Sequence, residues 1–88
     1  MRYRYQQQGV CSQLVEFDLD DQGVIHDVVF YGGCNGNLKA ISKLVEGRRA
    51  EDIIPILKGN TCGPRATSCA DQFTKGLEAA LAKQAKAN

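Results

Sequence analysis

From residue 13 to 20 the chain reads QLVEFDLD, and its apolar and acidic positions alternate: Val15, Phe17 and Leu19 fall on one side, Glu16, Asp18 and Asp20 on the other. A period of two marks a half-buried β-strand, whose successive side chains point to opposite faces. The DQG at 21–23 has turn composition, and VIHDVVFY after it continues as a strand with Val28 and Phe30 inward, so the pair predicts an antiparallel hairpin. In that register His26 shares the face of Val28 and Phe30. Tyr3 and Tyr5 alternate with Arg2 and Arg4, which predicts a third strand at the N-terminus.

At GGCNGN the period changes. Leu38, Ile41, Leu44 and Val45 follow helical spacing up to Gly47, a residue suited to end a helix in the left-handed conformation. AEDIIPILKG predicts a short second helix ended by Gly59, with Pro55 tolerable only near its first turn. From Ser68 onward Phe73, Leu77, Ala80 and Leu81 form the apolar stripe of a terminal helix, with Ser68 and Asp71 as a capping pair at its start and the polar KQAKAN tail expected to fray. Strands first and helices afterwards is the pattern of an α+β fold: a small antiparallel sheet of about three strands with two to three helices on one face.

The 88 residues, 43% hydrophobic and 24% charged, fit one domain over residues 1–88 with a thin core, for which a metal or other staple would be useful. A formal net charge of +1, with neither sign gathered in a block, argues against nucleic acid and anionic membrane as partners. The opening MRYRYQQQGV has no apolar core of signal-peptide length, and no apolar run approaches membrane-spanning length, so a cytoplasmic location is expected.

Four cysteines then carry the chemical interest, because cytoplasmic thiols stay reduced and more often serve metal or redox chemistry than structural disulfides. Cys11 precedes the central strand, Cys34 sits at the strand-to-helix turn, Cys62 lies in a loop and Cys69 opens the terminal helix. Boundary positions are where metal ligands gather, whereas inert cysteines occupy apolar positions within elements. A hairpin returns its exit to its entrance, which can bring Cys11 near Cys34, and Cys62 and Cys69 flank one loop. The spacing has none of the close C-x-x-C pairs of a zinc ribbon, so buried inert thiols, a redox pair or a disulfide stay open beside a four-thiolate site.

TSCADQ at 67–72, taken with GGCNGNLKAISKLVEG at 32–47, resembles the TSCPD-domain family in its small four-cysteine members, and the resemblance runs from GVCS at 9–12 to the terminal helix. Ala70 stands where the family's name motif has proline, a first-turn residue that alanine replaces at little cost. The resemblance implies that the cysteines ligate metal. It also implies a link to ribonucleotide reduction, since related domains occur at the C-termini of ribonucleotide reductases; the chain is too short for the reductase barrel, so the implied role is that of an accessory with a reductase as partner, not a stand-alone enzyme.

A more distant resemblance is to the U-type iron–sulfur scaffold proteins, whose three cysteines would match Cys11, Cys34 and Cys69. Gln13 replaces an aspartate and Ser68 a histidine of that scaffold, and Cys62 is additional. Those departures imply a closed site that keeps its metal.

The expectation is thus a non-catalytic metal-binding protein with Cys11, Cys34, Cys62 and Cys69 as ligands, with zinc favoured over an iron–sulfur cluster. The alternatives are a thiol redox or sulfur-transfer factor using Cys62 and Cys69, and the reductase accessory. The remaining features read more simply. His26 is expected as a solvated strand-end residue remote from the thiols. Asp18, Asp20, Asp21 and Asp27 lack EF-hand spacing and read as a solubilising turn. GGCNGN lacks the Walker lysine–serine pair, and Arg48, Arg49 and Arg65 read as solvated.

Overall fold

The computed structural model of the chain describes residues 1–7, 12–32, 35–60 and 67–87. Among them are strands β1 (Arg2–Gln6), β2 (Ser12–Leu19) and β3 (Ile25–Gly32), followed by helices α1 (Asn35–Val45), α2 (Ala50–Leu57) and α3 (Cys69–Ala87). The sheet is antiparallel in the order β1-β2-β3, so the most strictly alternating segment forms the centre and the other two strands are edges. The expected α+β class is what the chain adopts.

Alternation decides the faces. Tyr3, Val15, Phe17, Leu19 and Ile25 turn inward and are buried, while Arg2, Arg4, Glu16 and Asp18 pair with one another on the outer face, Arg4 Nε lying 2.8 Å from Glu16 and Arg2 Nη1 3.2 Å from Asp18. The helices cover the inner face. Phe73 of α3 meets Phe17 and Phe30 edge-on, each at 5.6 Å between ring centroids, and Leu77 and Ala80 continue the contact one and two turns later. Val45 of α1 and Ala50 and Ile53 of α2 complete the core.

Three details differ from the sequence expectation. In β3 the register slips at Asp27: Asp18 pairs with His26 but Glu16 pairs with Val29, leaving one residue too many opposite Phe17. Asp27 takes the left-handed conformation, φ 54°, as the extra residue of a β-bulge. Val28 and Phe30 therefore turn inward while His26 does not share their face. Second, α2 carries Pro55 as its sixth residue rather than in its first turn; packing of Ile53, Ile54 and Leu57 against the core holds the turn that proline weakens. Third, α3 continues through the polar tail, because Gln84 Nε2 donates to the Asp20 carbonyl at 2.6 Å and ties the helix to the hairpin turn.

The turn and linker are closed by backbone bonds. Asp20 Oδ1 accepts from the Gln22 and Val24 amides, and Gly23 has φ 78°. The α1–α2 linker lies along the first residues of β3: Ile25 donates to the Arg48 carbonyl, Gly47 to Ile25, and Ala50 to Gly23, each at 2.8 Å.

Candidate functional site

Buried polarity is concentrated in one place. Among the described residues the buried polar side chains are Gln7, Ser68, Asp71, Gln72 and Thr74, and all of them lie at the start of α3 or against it. A thin hydrophobic core leaves such groups only where partners compensate their desolvation.

Ser68 caps α3: its hydroxyl accepts the Asp71 amide at 3.1 Å and donates to the Asn60 carbonyl at 2.5 Å, while Asn60 Nδ2 reaches it at 3.3 Å. The expected pairing of Ser68 with Asp71 is thus half realised. The Asp71 carboxylate does not turn back to the cap residue; it accepts the Gly59 amide at 2.7 Å and the Thr67 hydroxyl in a short hydrogen bond. These donors, the Thr67 hydroxyl first and the Gly59 amide second, hold the Asp71 carboxyl below its ordinary range, with Lys75 and Lys58 adding to the effect against the opposing influence of burial. Gln72 Nε2 donates to the Thr67 hydroxyl at 3.1 Å, and Thr74 Oγ1 returns to the Asp71 carbonyl at 2.6 Å.

Gln7, just beyond β1, joins the sheet to this end of the helix. Its amide N–H donates to the Gln13 carbonyl and its side-chain nitrogen to the Cys69 carbonyl, both at 3.0 Å. Its side-chain oxygen is buried with no hydrogen-bond donor among the described residues.

Of the four cysteines named from the sequence, Cys69 occupies the first residue of α3 and is half-buried. Cys11, Cys34 and Cys62 lie outside the described residues, as does Arg65. The described residues nearest to them in the chain nevertheless meet. Ser12 and Gly32 are register partners, Gln13 binds Gln7, Gln7 binds Cys69, and Asn60 binds Ser68. No group of three or more His, Cys, Asp or Glu positioned for a metal ion occurs among the described residues. The one buried carboxylate here, Asp71, has both oxygens engaged.

His26 lies elsewhere. It faces Asp18 across the hairpin, six residues from the Ser12–Gly32 pair, which is about 20 Å of strand. Its Nε2 lies 3.1 Å from Asp20 Oδ2 and its Nδ1 2.9 Å from Glu46 Oε2. These two carboxylates, Asp20 foremost, raise its pKa above the ordinary 6.5. Glu46 also accepts the Asp27 amide at 2.8 Å and so fixes the bulge. The solvated histidine expected from the sequence is a clasp joining the turn, β3 and the end of α1. The bulge hid it, because an uninterrupted alternation turns His26 away from both carboxylates.

Sequence reasoning also passed over Gln7, Thr67, Gln72 and Thr74. Their one available signal is proximity in the chain to Cys69 and to the segment before Cys11; nothing in their own pattern marks burial. The comparisons agree with the placement of the motif: the sequence model of the TSCPD domain matches residues 1–81. No curated protein and no solved structure matches the chain.

Proposed function

Given that the chain belongs to the TSCPD-domain family, we propose that it is a small non-catalytic metal-binding protein whose ligands are Cys11, Cys34, Cys62 and Cys69, with zinc preferred to an iron–sulfur cluster. One observation carries this reading. The described chain neighbours of all four cysteines come together at the N-terminal end of α3, linked through Ser12–Gly32, Gln13–Gln7, Gln7–Cys69 and Asn60–Ser68.

The donor chemistry is consistent with zinc. Asp71 is occupied by Gly59 and Thr67, and His26 is clasped about 20 Å away along the hairpin, so neither of these side chains is offered as a ligand and the proposed set is the four thiolates. Four thiolates around a tetrahedral ion make a closed structural site with no position for substrate. When bound, the metal would join the open end of the hairpin to α3. The protein's own contribution is the buried network, which fixes the Cys69 backbone through Gln7 and the helix start through Ser68 and Asp71.

Elemental analysis and a visible spectrum on protein purified anaerobically without chelator test the reading. About one zinc per chain without colour is expected, and Cys69→Ser should lose metal and thermal stability together. Unchanged melting and metal content in that variant, or four titratable thiols and no metal in the parent, would overturn it.

A second reading draws on the same tie. Asn60 and Ser68 are hydrogen-bonded to each other from the two sides of segment 61–66, which contains Cys62, an arrangement that also suits an attacking and resolving pair formed by Cys62 and Cys69. A thiol of depressed pKa in the metal-free protein, found by alkylation titration, would favour this over the structural site.

A further inference from the structure

β3 is an edge strand, and among the described residues only its first part is covered. The α1–α2 linker pairs with it through the isolated bridge Val24–Arg49 and the Ile25 backbone bonds, and Glu46 then takes the Asp27 amide. From Val28 onward no described strand lies along its outer side. An edge of this kind presents every second backbone N–H and C=O away from the sheet, ready to pair. Beside it a groove of about 450 Å³ runs between β3 and α1, with Val28, Phe30 and Leu38 as apolar walls and Lys39 and Lys43 along the helical rim.

The charge in this groove is unequal along its length. Glu46 is already engaged by His26 and the Asp27 amide, whereas neither Lys39 nor Lys43 has an ion pair among the described residues. The two lysines are one turn apart on an exposed face, where like charges at this spacing repel. On the other face of the same strand Val29 and Tyr31 are 40% and 46% exposed.

From this geometry we infer that the groove receives an extended acidic segment of a partner protein, which adds as a fourth strand on the outer edge of β3. The dimensions agree. Lys39 and Lys43 are separated by about 6 Å of helix rise, and alternate residues of a strand by about 6.7 Å. Two glutamates at alternate positions thus reach the two ammonium groups while their methylenes cover the apolar walls. The residue between them points to the opposite face, beside Val29 and Tyr31, where an apolar side chain gains a cross-strand neighbour. The exposed carboxylates of Asp27 and Glu46 lie toward the turn end and limit how far an acidic segment extends in that direction. The ligand class is an extended peptide with glutamates alternating with β-branched residues, held by main-chain bonds with specificity from the lysines.

The test uses the full chain and a capped, dye-labelled peptide of four Val-Glu repeats, followed by fluorescence anisotropy and by amide chemical-shift changes in labelled protein. Binding at about 1 mM or tighter is expected, with shifts concentrated at Val28–Tyr31 and Lys39–Lys43. Reversal of both exposed lysines, Lys39→Glu with Lys43→Glu, should weaken it about tenfold or more while leaving the circular dichroism unchanged. The same peptide N-methylated at alternate residues should not bind, and a Val-Lys peptide should bind more weakly than the Val-Glu peptide. As a second probe, Val29→Lys, which leaves the backbone intact and removes the apolar neighbour on the exposed face, should weaken binding while leaving the spectrum unchanged. No binding, binding indifferent to the lysine reversal, or shifts centred elsewhere would overturn the inference. So would concentration-dependent self-association through these residues, which would assign the edge to a second copy of the chain.

Discussion

Replacing Asp71 with alanine tests whether the start of α3 is held by its buried carboxylate. Asp71 accepts two hydrogen bonds, from the Gly59 amide and the Thr67 hydroxyl, and so ties the residues on both sides of segment 61–66 to the first turn of the helix. A hydrogen bond to a charged group contributes about 1.5–3 kcal/mol net, and a carboxylate in the first helical turn adds about 0.3–1 kcal/mol. Because both donors are only partly buried and recover water, the lower ends apply, giving about 3 kcal/mol for Asp71→Ala. At about 4–8 °C per kcal/mol for a domain of this size, the melting temperature falls by about 12–24 °C. Asp71→Asn keeps one carbonyl acceptor for Gly59, and its amide can donate to the Thr67 hydroxyl, so it should cost about 1 kcal/mol. Thermal and urea denaturation followed by circular dichroism measure both. An alanine variant within about 0.5 kcal/mol of the parent would refute the argument. So would an asparagine variant as unstable as the alanine one, since the cost would then not follow the number of hydrogen bonds lost. The lowered pKa adds a sign: the carboxylate's contribution is complete above the ordinary carboxylate range and is lost as pH falls through the depressed value. The parent should therefore lose stability on acidification more steeply than Asp71→Asn.

Gly76 faces β1 so closely that an added Cβ would lie 2.9 Å from Tyr5 Cβ and 3.0 Å from its Cγ, atoms near the backbone that cannot swing away. Gly76→Ala gains about 1 kcal/mol of helix propensity but overpacks by about 1–3 kcal/mol, so melting should fall; a rise would show that β1 yields freely. Phe73 is fully buried between Phe17 and Phe30, and Phe73→Ala should cost about 3–5 kcal/mol, measured by urea titration; a loss under about 1 kcal/mol would mean that the three-ring contact is not the centre of the core. For His26, whose pKa is raised by Asp20 and Glu46, the stabilisation is present below the ordinary value of 6.5 and disappears as pH rises through the raised value, while on the acid side the lowered pKa values of Asp20 and Glu46 remove it again. An NMR titration of the ring should give a midpoint above 6.5 in the parent, and the stability difference between parent and His26→Gln should shrink as pH rises from the ordinary value through the raised one; a midpoint at or below the ordinary value would contradict the clasp.

The sheet and its inward face were legible because Val15, Phe17 and Leu19 alternate without interruption, and a strict period of two fixes both element and face. The ends of α1 and α2 were legible because Gly47 and Gly59 adopt the positive φ that their residue type favours. Where the local signal failed, tertiary contact had overridden it. Nothing in IHDVVF announces a bulge, since the extra residue is an aspartate held by a glutamate nineteen residues away. Leu44 was placed on the apolar stripe of α1, yet it is 67% exposed, because Leu38, Ile41 and Val45 already fill the narrower strip that the sheet leaves for this helix. Cys69 marks the first residue of α3, but the residues that build this end of the helix were chosen for hydrogen bonding rather than for any period. Gln7 and Thr67 read as ordinary loop residues until the fold brings Gln13, Cys69, Asp71 and Gln72 to them.

The two ends of the hairpin are therefore built on different physics, and the difference bears on the proposed site. At the turn, Asp20, His26 and Glu46 are half-exposed ionised groups whose clasp responds to pH and salt and whose individual energies are small. At the open end the polar groups are buried and mostly neutral, and Gln7, Ser68, Gln72 and Thr74 each commit a donor or acceptor to a fixed backbone or side-chain partner. Such a network costs desolvation that a thin core can ill spare unless it orders something that the core alone does not. What it orders is the first turn of α3, at Cys69, together with the residues on either side of segment 61–66. The unmatched Gln7 oxygen marks where the network stops short of satisfying itself. A site completed at this end by metal would supply the stabilisation that an 88-residue chain lacks and would explain why so much polarity is buried beside one cysteine.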